Sequence, residues 1–304
     1  MKSNLKYIKA AIYVVIAVCP LVLKAQDAAT TESTTTTKEV VKSTFENAVL
    51  INNQTVENPG KKTLDFMIQH RFGLIKDEKD IYGFFAPANI RLGLTYGISK
   101  RIAVGIGATK LKRYYDLQWK AIILQQTKGG GSPVTVSYYG DLARSANDKS
   151  KFLNQDSTYK GSNRINYCHE LMIARKFNSK LSMQVAATYA HYNISEAITV
   201  VENNALVTQK SPNDHVGLAV LGRYKFSPQS SFIIDFDYAF TKDDVLDPKP
   251  NLGLGFEVST GNHQFQVFVS TADQILSQEL RVYNQNGFPN DILFGFNITR
   301  QWGF

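Results

Sequence analysis

The chain has 304 residues, enough for one large domain or two of ordinary size, and a formal net charge of +8. Its basic residues form no patch interleaved with aromatic side chains, so the charge does not indicate a nucleic-acid partner. Beyond residue 25 no run of about 18 apolar residues occurs, which excludes a membrane-spanning helix there. If this part of the chain crosses a membrane, it must do so as a closed β-barrel, because in lipid only helices and closed barrels satisfy every backbone polar group.

The N-terminus predicts export. Three lysines precede an apolar stretch over residues 10–23, and the small residue Ala25 stands at the predicted cleavage point. This is the layout of a secretory signal peptide over residues 1–25. The alternative is a lipoprotein anchored at Cys19, which the valine before that cysteine and the proline after it disfavour. Cleavage after Ala25 removes four lysines and lowers the formal net charge to +4. Cys168 then remains as the single cysteine, so no intramolecular disulfide is expected.

The rest of the chain divides into three predicted parts. Residues 26–43 are polar, rich in threonine and without periodicity, which indicates a disordered tether. Residues 44–62 mix apolar and polar side chains and close with the turn signal Pro59-Gly60. We expect them to form a short periplasmic extension or a plug. From residue 63 to residue 304 the dominant period is two, and this part is predicted to be the barrel.

Twelve alternating segments of about 9–14 residues follow one another in this last part. The clearest has Phe232, Ile234 and Phe236 on one face and Asp235 and Asp237 on the other. Strands of this length, with one apolar and one polar or small face, are typical of membrane barrels, whereas soluble strands average five or six residues. The predicted fold class is therefore all-β, a transmembrane antiparallel up-and-down β-barrel of about 12 strands.

The connections between the segments favour the same fold. The links after the second, sixth, eighth and tenth strands are very short, and the link over residues 127–132 is glycine-rich. Most links after odd strands are much longer, at about 75–88, 144–162, 195–213, 242–250 and 273–290. Bacterial outer-membrane barrels alternate short periplasmic turns and long external loops in this way. The expected location is the outer membrane of a Gram-negative bacterium, with both termini in the periplasm.

The final strand indicates how such a barrel is assembled. It ends on Phe304, and it resembles the terminal strand that outer-membrane proteins present to the barrel assembly machinery. That machinery and outer-membrane lipid are therefore expected partners. An external helix over the barrel mouth is predicted within residues 272–283, where the periodicity is partly helical.

Several stretches resemble an uncharacterised β-barrel family of Bacteroidota outer membranes. The carrying elements are the run Ile51-Asn52-Asn53-Gln54-Thr55-Val56-Glu57, the stretch from Leu64 to Gly73, the motif Gly93-Leu94-Thr95-Tyr96-Gly97 and the closing Phe296-Asn297-Ile298-Thr299-Arg300. The resemblance covers nearly all of the chain after residue 43. It implies the fold and the location, and the family brings no activity, because it is a domain of unknown function.

The polar face of the strands defines the predicted lumen. Its charged members have both signs, and they are Asp65, Arg71, Arg91, Asp116, Lys120, Glu170, Arg223, Lys225, Asp235, Asp237 and Glu257. Such charges either pair across strands and fill the interior or line a path for small polar solutes. The inward positions of the second, third and tenth strands are small (Gly93, Gly97, Ala103, Gly105, Gly107, Gly253, Gly255). Because glycine in a strand often marks close approach of another backbone, residues 44–58 or an external loop are expected to rest on this glycine wall.

No catalytic, cofactor or metal motif stands out. The five histidines lie on separate predicted strands without ligand spacing, and no serine occurs in a nucleophile-elbow context. The chain is therefore expected not to be an enzyme and to need no cofactor. The leading functional hypothesis is a narrow channel or porin for small polar solutes. The alternative is a closed barrel that acts as a structural or interaction protein through its external loops, and a lipid-acting enzyme ranks third.

Overall fold

The computed structural model describes residues 39–76, 78–152, 158–194, 197–202, 205–243 and 245–304. The predicted signal peptide and most of the predicted tether lie outside these residues. Twelve strands form the barrel: β1 Thr63–Leu74, β2 Asn89–Gly97, β3 Ile102–Thr109, β4 Tyr114–Leu124, β5 Thr135–Ser145, β6 Ile165–Lys176, β7 Leu181–Tyr192, β8 Asp214–Lys225, β9 Ser230–Ala239, β10 Asn251–Thr260, β11 His263–Ser270 and β12 Leu293–Gly303.

The strands close into one antiparallel sheet. Each pairs with its neighbours in sequence, and β12 pairs with β1 in a register that runs from Leu293 opposite Leu74 to Gly303 opposite Thr63. A closed sheet has no free edge, so every strand finds two partners. The predicted fold class and the predicted number of strands are confirmed.

The two faces of the sheet have the polarity of a barrel in lipid. Along β9 the outward side chains of Phe232 and Phe236 are 39 % and 37 % exposed, while Asp235 between them is fully buried. Large apolar side chains cover the outside of other strands as well, for example Ile106 and Val267. Apolar-out and polar-in alternation is the reverse of a soluble protein and fits a membrane barrel with a polar interior.

The links alternate in length around the barrel. Residues 98–101, 177–180, 226–229 and 261–262, with the longer 125–134, join strands at one end, which we call the turn end. The start of β1 and the end of β12 also lie at the turn end. The opposite end, the loop end, carries the described parts of residues 75–88, 110–113, 146–164, 193–213, 240–250 and 271–292. The 193–213 loop contains an unpredicted hairpin, Ala197–Glu202 paired with Ala205–Lys210.

Two segments outside the barrel sheet have a defined course. Glu39–Val40 pairs with Thr127–Lys128, so the last residues of the predicted tether run along the turn end. A single α-helix among the described residues, α1 Ser277–Tyr283, lies in the last loop. It is short, and no helix within the described ranges is long and apolar enough to cross a membrane.

Candidate functional site: the occupied lumen

The predicted lumen charges lie on the inner face of the barrel. Ten of the eleven are no more than 5 % exposed, and Lys225, close to the turn end, is half-buried. Charged groups are rarely this buried unless they are paired. The partners of these groups therefore decide what the lumen can do.

Residues 44–58 form a hairpin inside the barrel, which we call the plug hairpin. Val49–Leu50 pairs with Asn53–Gln54, and the tip between them places Ile51 at φ 52°. This left-handed conformation is strained for a β-branched residue and persists only where the surroundings hold it. Phe45, Leu50 and Ile51 are almost fully buried. The segment predicted to be an extension or a plug thus lies within the lumen.

The tip of the plug hairpin is held by charged groups of the wall. The Asn53 side-chain amide donates to Asp235 Oδ1 at 2.6 Å and to Asp237 Oδ1 at 2.9 Å. The Asn52 backbone N–H donates to Asp235 Oδ2 at 3.0 Å. From the other side, Arg71 donates to Asn52 Oδ1 and to the Ile51 carbonyl, at 3.0 and 2.9 Å. Charge-assisted bonds of this kind are stronger than bonds between neutral groups.

The two arms of the hairpin are held nearer the turn end. Glu46 accepts from Arg223 Nη2 at 2.8 Å, and Arg223 also donates to Glu257 at 2.9 Å. The Lys120 ammonium donates to three carbonyls of the hairpin, those of Ala48, Thr55 and Glu57, at 3.0–3.1 Å. Lys120 uses all three of its donors in this way. It is therefore the wall residue that clamps both arms together.

Replacing Lys120 by methionine is expected to loosen the plug hairpin. The change keeps the apolar stem, leaves the Thr55 and Glu57 carbonyls without a donor and removes one of the two donors to the Ala48 carbonyl, which we expect to weaken docking by about 2 kcal/mol. Hydrogen exchange of residues 44–58 in the folded barrel measures this effect. Lys176→Met is the matched control, because Lys176 binds the carbonyls of Lys42 and Ser43 in an exposed setting, where water replaces it. Equal exchange in both variants would contradict the clamp.

The glycine wall has two uses in the structure. A Cβ at Gly97 would lie 2.1 Å from the Gly60 carbonyl, and one at Gly253 would lie 3.0 Å from Ile51, so the chain from residue 44 onward does approach these positions. At Gly93 and Gly107 a Cβ would instead meet the guanidinium of Arg91, at 2.6 and 2.3 Å. The second pair of glycines therefore makes room for a wall side chain.

Arg91 and Asp116 form a buried pair on β2 and β4. Arg91 Nε and Nη2 donate to the two carboxylate oxygens at 3.0 and 2.5 Å, and both side chains are 6 % exposed or less. Gln69 accepts a further bond from Arg91 at 3.2 Å. This two-bond geometry is the strong form of an arginine–carboxylate pair.

The loop-end helix α1 also lies in the lumen. Its residues 277–282 are buried, and it packs against β6, β7, β8 and β9. Arg281 donates to Glu170 at 3.3 Å and to Asp237 at 2.8 Å, and it also donates to Asn53 of the plug hairpin. The helix falls within the predicted residues 272–283 but lies inside the barrel rather than over its mouth, because its polar side chains find buried partners there. The two inserted segments thus meet within the lumen.

The helix brings one carboxyl group without a partner into the lumen. Neither oxygen of Glu279 has a hydrogen-bond partner among the described residues. Burial raises the pKa of Glu279 to about 8, with Asp273 of the same loop and Asp141 of β5 adding to the shift and Lys112 opposing it. The folded state therefore binds a proton that an exposed glutamate releases near pH 4.5.

Docking of α1 should consequently weaken as the pH rises. The raised pKa makes the helix most stable below about pH 4.5, with a loss of up to about 1.4 kcal/mol per pH unit until about pH 8. Protease protection of residues 271–292, measured from pH 5 to pH 8.5, checks this. Glu279→Gln should reduce the dependence, since the amide stays neutral, and leave the contribution of Asp273, whose pKa is also raised by burial. Protection that rises with pH in the natural chain would refute the assignment.

Sequence reasoning missed several members of this site. Asp141 lies on the inner face of β5, where strict alternation from Tyr139 could have found it. Glu46, Asn53 and Arg281 carry no such signal, because they reach the lumen from segments outside the strands.

Within the described ranges, no group of three or more histidine, cysteine, aspartate or glutamate side chains is arranged to hold a metal.

A small cavity remains between the plug hairpin and strands β1–β5. Its volume is about 20 Å³, room for about one water molecule. Lys120, Gln118, Asp65 and Thr95 line it. Asp65 Oδ1 has no protein partner among the described residues, so a water here would meet a free acceptor.

The closed sheet, its apolar outer face and its polar, occupied interior define a membrane β-barrel. The comparisons agree with this class. Residues 45–302 match the family described as "Membrane bound beta barrel domain (DUF5777)", and the chain belongs to that family. No curated protein matches the sequence.

Solved outer-membrane proteins resemble the chain at low sequence identity. The NanC porin is 9 % identical with a TM-score of 0.48, over 78 % of this chain and 98 % of that one. The KdgM porin in complex with disordered oligogalacturonate is 11 % identical with a TM-score of 0.44, over 80 % and 99 %. An outer membrane channel from Pseudomonas putida F1 is 12 % identical with a TM-score of 0.46, over 80 % and 96 %.

Proposed function

We propose that the protein is a plugged channel for small polar solutes in a bacterial outer membrane, closed by residues 44–58. The observation that carries the proposal is the position of the plug hairpin. It occupies the lumen through polar contacts with wall residues that water can replace, such as those of Lys120 and Asp235. A segment held in this way can leave without breaking the barrel sheet. The wall it uncovers carries charged side chains beside apolar ones such as Leu221 and Phe268, and the charged groups suit a water-filled path.

The alternation of link lengths supports the orientation. Short turns face the periplasm in bacterial outer-membrane barrels, and long loops face outward. The turn end here carries the start of β1, the end of β12 and the entry of the plug hairpin. We therefore propose that both termini of the barrel and the entry of the plug hairpin lie on the periplasmic side.

A closed barrel that works through its external loops is the alternative. The observation in its favour is that the lumen is occupied from both ends, with Arg281 of α1 touching Asn53 of the plug hairpin.

We also propose that the protein is not an enzyme. The outward-facing His191 near the loop end binds Asp214 at 2.7 Å and Asn193 at 3.2 Å, and neither partner is a serine nucleophile.

Solute entry into liposomes distinguishes the two readings. Liposomes carrying the full chain or a variant without residues 44–58 are placed in isotonic arabinose or in a larger oligosaccharide, and their swelling rates are compared. The plugged channel predicts that the shortened variant admits arabinose much faster than the full chain and excludes the oligosaccharide. A folded shortened variant that swells no faster than empty liposomes would favour the closed barrel.

A further inference from the structure

Four carboxylates of the wall face the inserted segments. Asp141 on β5, Glu170 on β6 and Asp235 and Asp237 on β9 are each no more than 2 % exposed. Their partners come largely from outside the barrel sheet. Gln278 of α1 donates to Asp141 at 2.8 Å, and Asn53 of the plug hairpin donates to both aspartates of β9.

Within the described part of the chain, the one cation within hydrogen-bonding distance of this group is brought in by the loop-end helix. The Arg281 guanidinium lies between Glu170 and Asp237, with Nη1 and Nη2 donating across 3.3 and 2.8 Å. Glu170 Oε2 has no partner among the described residues although its side chain is 99 % buried. Glu170 can therefore accept a further hydrogen bond through Oε2, in addition to the one that Oε1 accepts from Arg281.

We propose that Glu170 and Asp237, with Asp235 and Asp141 beside them, form a binding site for solutes that carry a guanidinium or ammonium group. Arg281 is the tethered occupant of this site in the closed state. The inference rests on the proposed channel, and it names the class of solute that the channel prefers. A cation that reaches the site from the loop end displaces the Arg281 side chain and takes over its bonds to Glu170 and Asp237.

The charges explain why the ligand is a cation. Four neighbouring carboxylates in a desolvated wall repel one another unless a positive group is among them. When Arg281 leaves, the wall must either take up water or bind another cation, and an anion meets repulsion in both cases. The polarity is reversed nearer the turn end, where the plug hairpin brings the carboxylate of Glu46 to Arg223 and Lys225. The cation site thus belongs to the loop-end half of the path.

Chemical rescue tests the site without requiring conduction. Arg281→Ala removes the guanidinium and leaves a space beside the Glu170 and Asp237 carboxylates. Methylguanidinium and methylurea are matched probes for this space, because they are similar in shape and differ in charge. Binding is followed by calorimetry on the folded, detergent-solubilised full chain. Methylguanidinium should bind the variant about tenfold or more tighter than methylurea does, because hydrogen bonds to charged groups are the stronger ones. The natural chain, in which the tethered Arg281 competes for the site, should bind methylguanidinium more weakly than the variant does.

Two further variants make the test complete. Glu170→Gln combined with Arg281→Ala removes one negative charge together with the cation, so it folds more readily if Arg281→Ala alone does not, and it should still prefer methylguanidinium. Glu170→Gln, Asp237→Asn and Arg281→Ala together should lose that preference. Equal affinity for both probes in a folded variant, or an unchanged preference in the triple variant, would overturn the site. Liposomes that fail to swell would overturn the channel and leave this binding result intact.

Discussion

A disulfide between residues 51 and 253 is expected to hold the barrel closed. Ile51 is at the tip of the plug hairpin, and its Cγ2 lies 3.0 Å from the position of a Cβ on Gly253 of β10. Since Cγ2 is one bond from Cβ, two cysteines here have their Cβ atoms within about 4.5 Å, which is disulfide range. In the Lys120→Met background, whose loosened hairpin opens from time to time, the oxidised pair should abolish solute entry. Reduction should restore it.

The control for this prediction is the same protein, with cysteines at positions 51 and 253 in the Lys120→Met background, in its reduced form. Reduced and oxidised proteins have identical sequences, so a difference between them reports only the link between hairpin and wall. Ile51→Cys alone, treated with the same oxidant, shows that the second cysteine is required. If the oxidised pair forms quantitatively and solute entry is unchanged, the path does not run where the plug hairpin lies.

Asp116→Ala is expected to be the most destabilising of the single changes considered. It leaves the Arg91 guanidinium, 6 % exposed, without its two-bond partner. Removing one member of a buried ion pair strands the other charge, which we expect to lower the free energy of unfolding by about 3 kcal/mol. Denaturant unfolding of the barrel in lipid vesicles measures the loss.

The matched control removes both charges. Arg91→Met with Asp116→Leu replaces the pair by apolar groups of similar volume, and such exchanges are often neutral, so the unfolding free energy should return to within about 1 kcal/mol of the natural chain. The glycines at positions 93 and 107 leave enough space for the methionine side chain. A double variant as unstable as Asp116→Ala would show that the ion pair itself adds to the free energy of unfolding and does more than keep a buried charge from being unpaired.

The strands were predictable because one physical rule governs all of them. Lipid outside and polar groups inside impose a period of two on every spanning segment, as along β9. The lumen charges follow from the same rule once the register is known. Four of the five links at the turn end are short, as the same alternation predicts. The hairpin Ala197–Glu202 with Ala205–Lys210 escaped prediction because it lies in a loop, outside the spanning segments to which the rule applies.

The contents of the lumen were only partly predictable. The glycines indicated that another segment approaches the wall, and Gly97 and Gly253 do mark that approach, while Gly93 and Gly107 serve the Arg91 side chain. The helix within residues 272–283 was expected over the mouth and lies inside. Its position depends on buried partners from distant strands, such as Glu170 and Asp237 for Arg281, and no local pattern encodes such pairings. The same holds for Asn53 and Glu46 of the plug hairpin.

The single-channel conductance of the full chain and of the variant without residues 44–58, each folded into a planar bilayer, tests the central claim most directly. The plugged channel predicts a silent or rarely opening full chain and steady, uniform current steps from the variant. A variant that stays silent although gel mobility and fluorescence show an intact barrel would contradict the plugged channel. Such a result would favour a closed barrel that acts through its external loops.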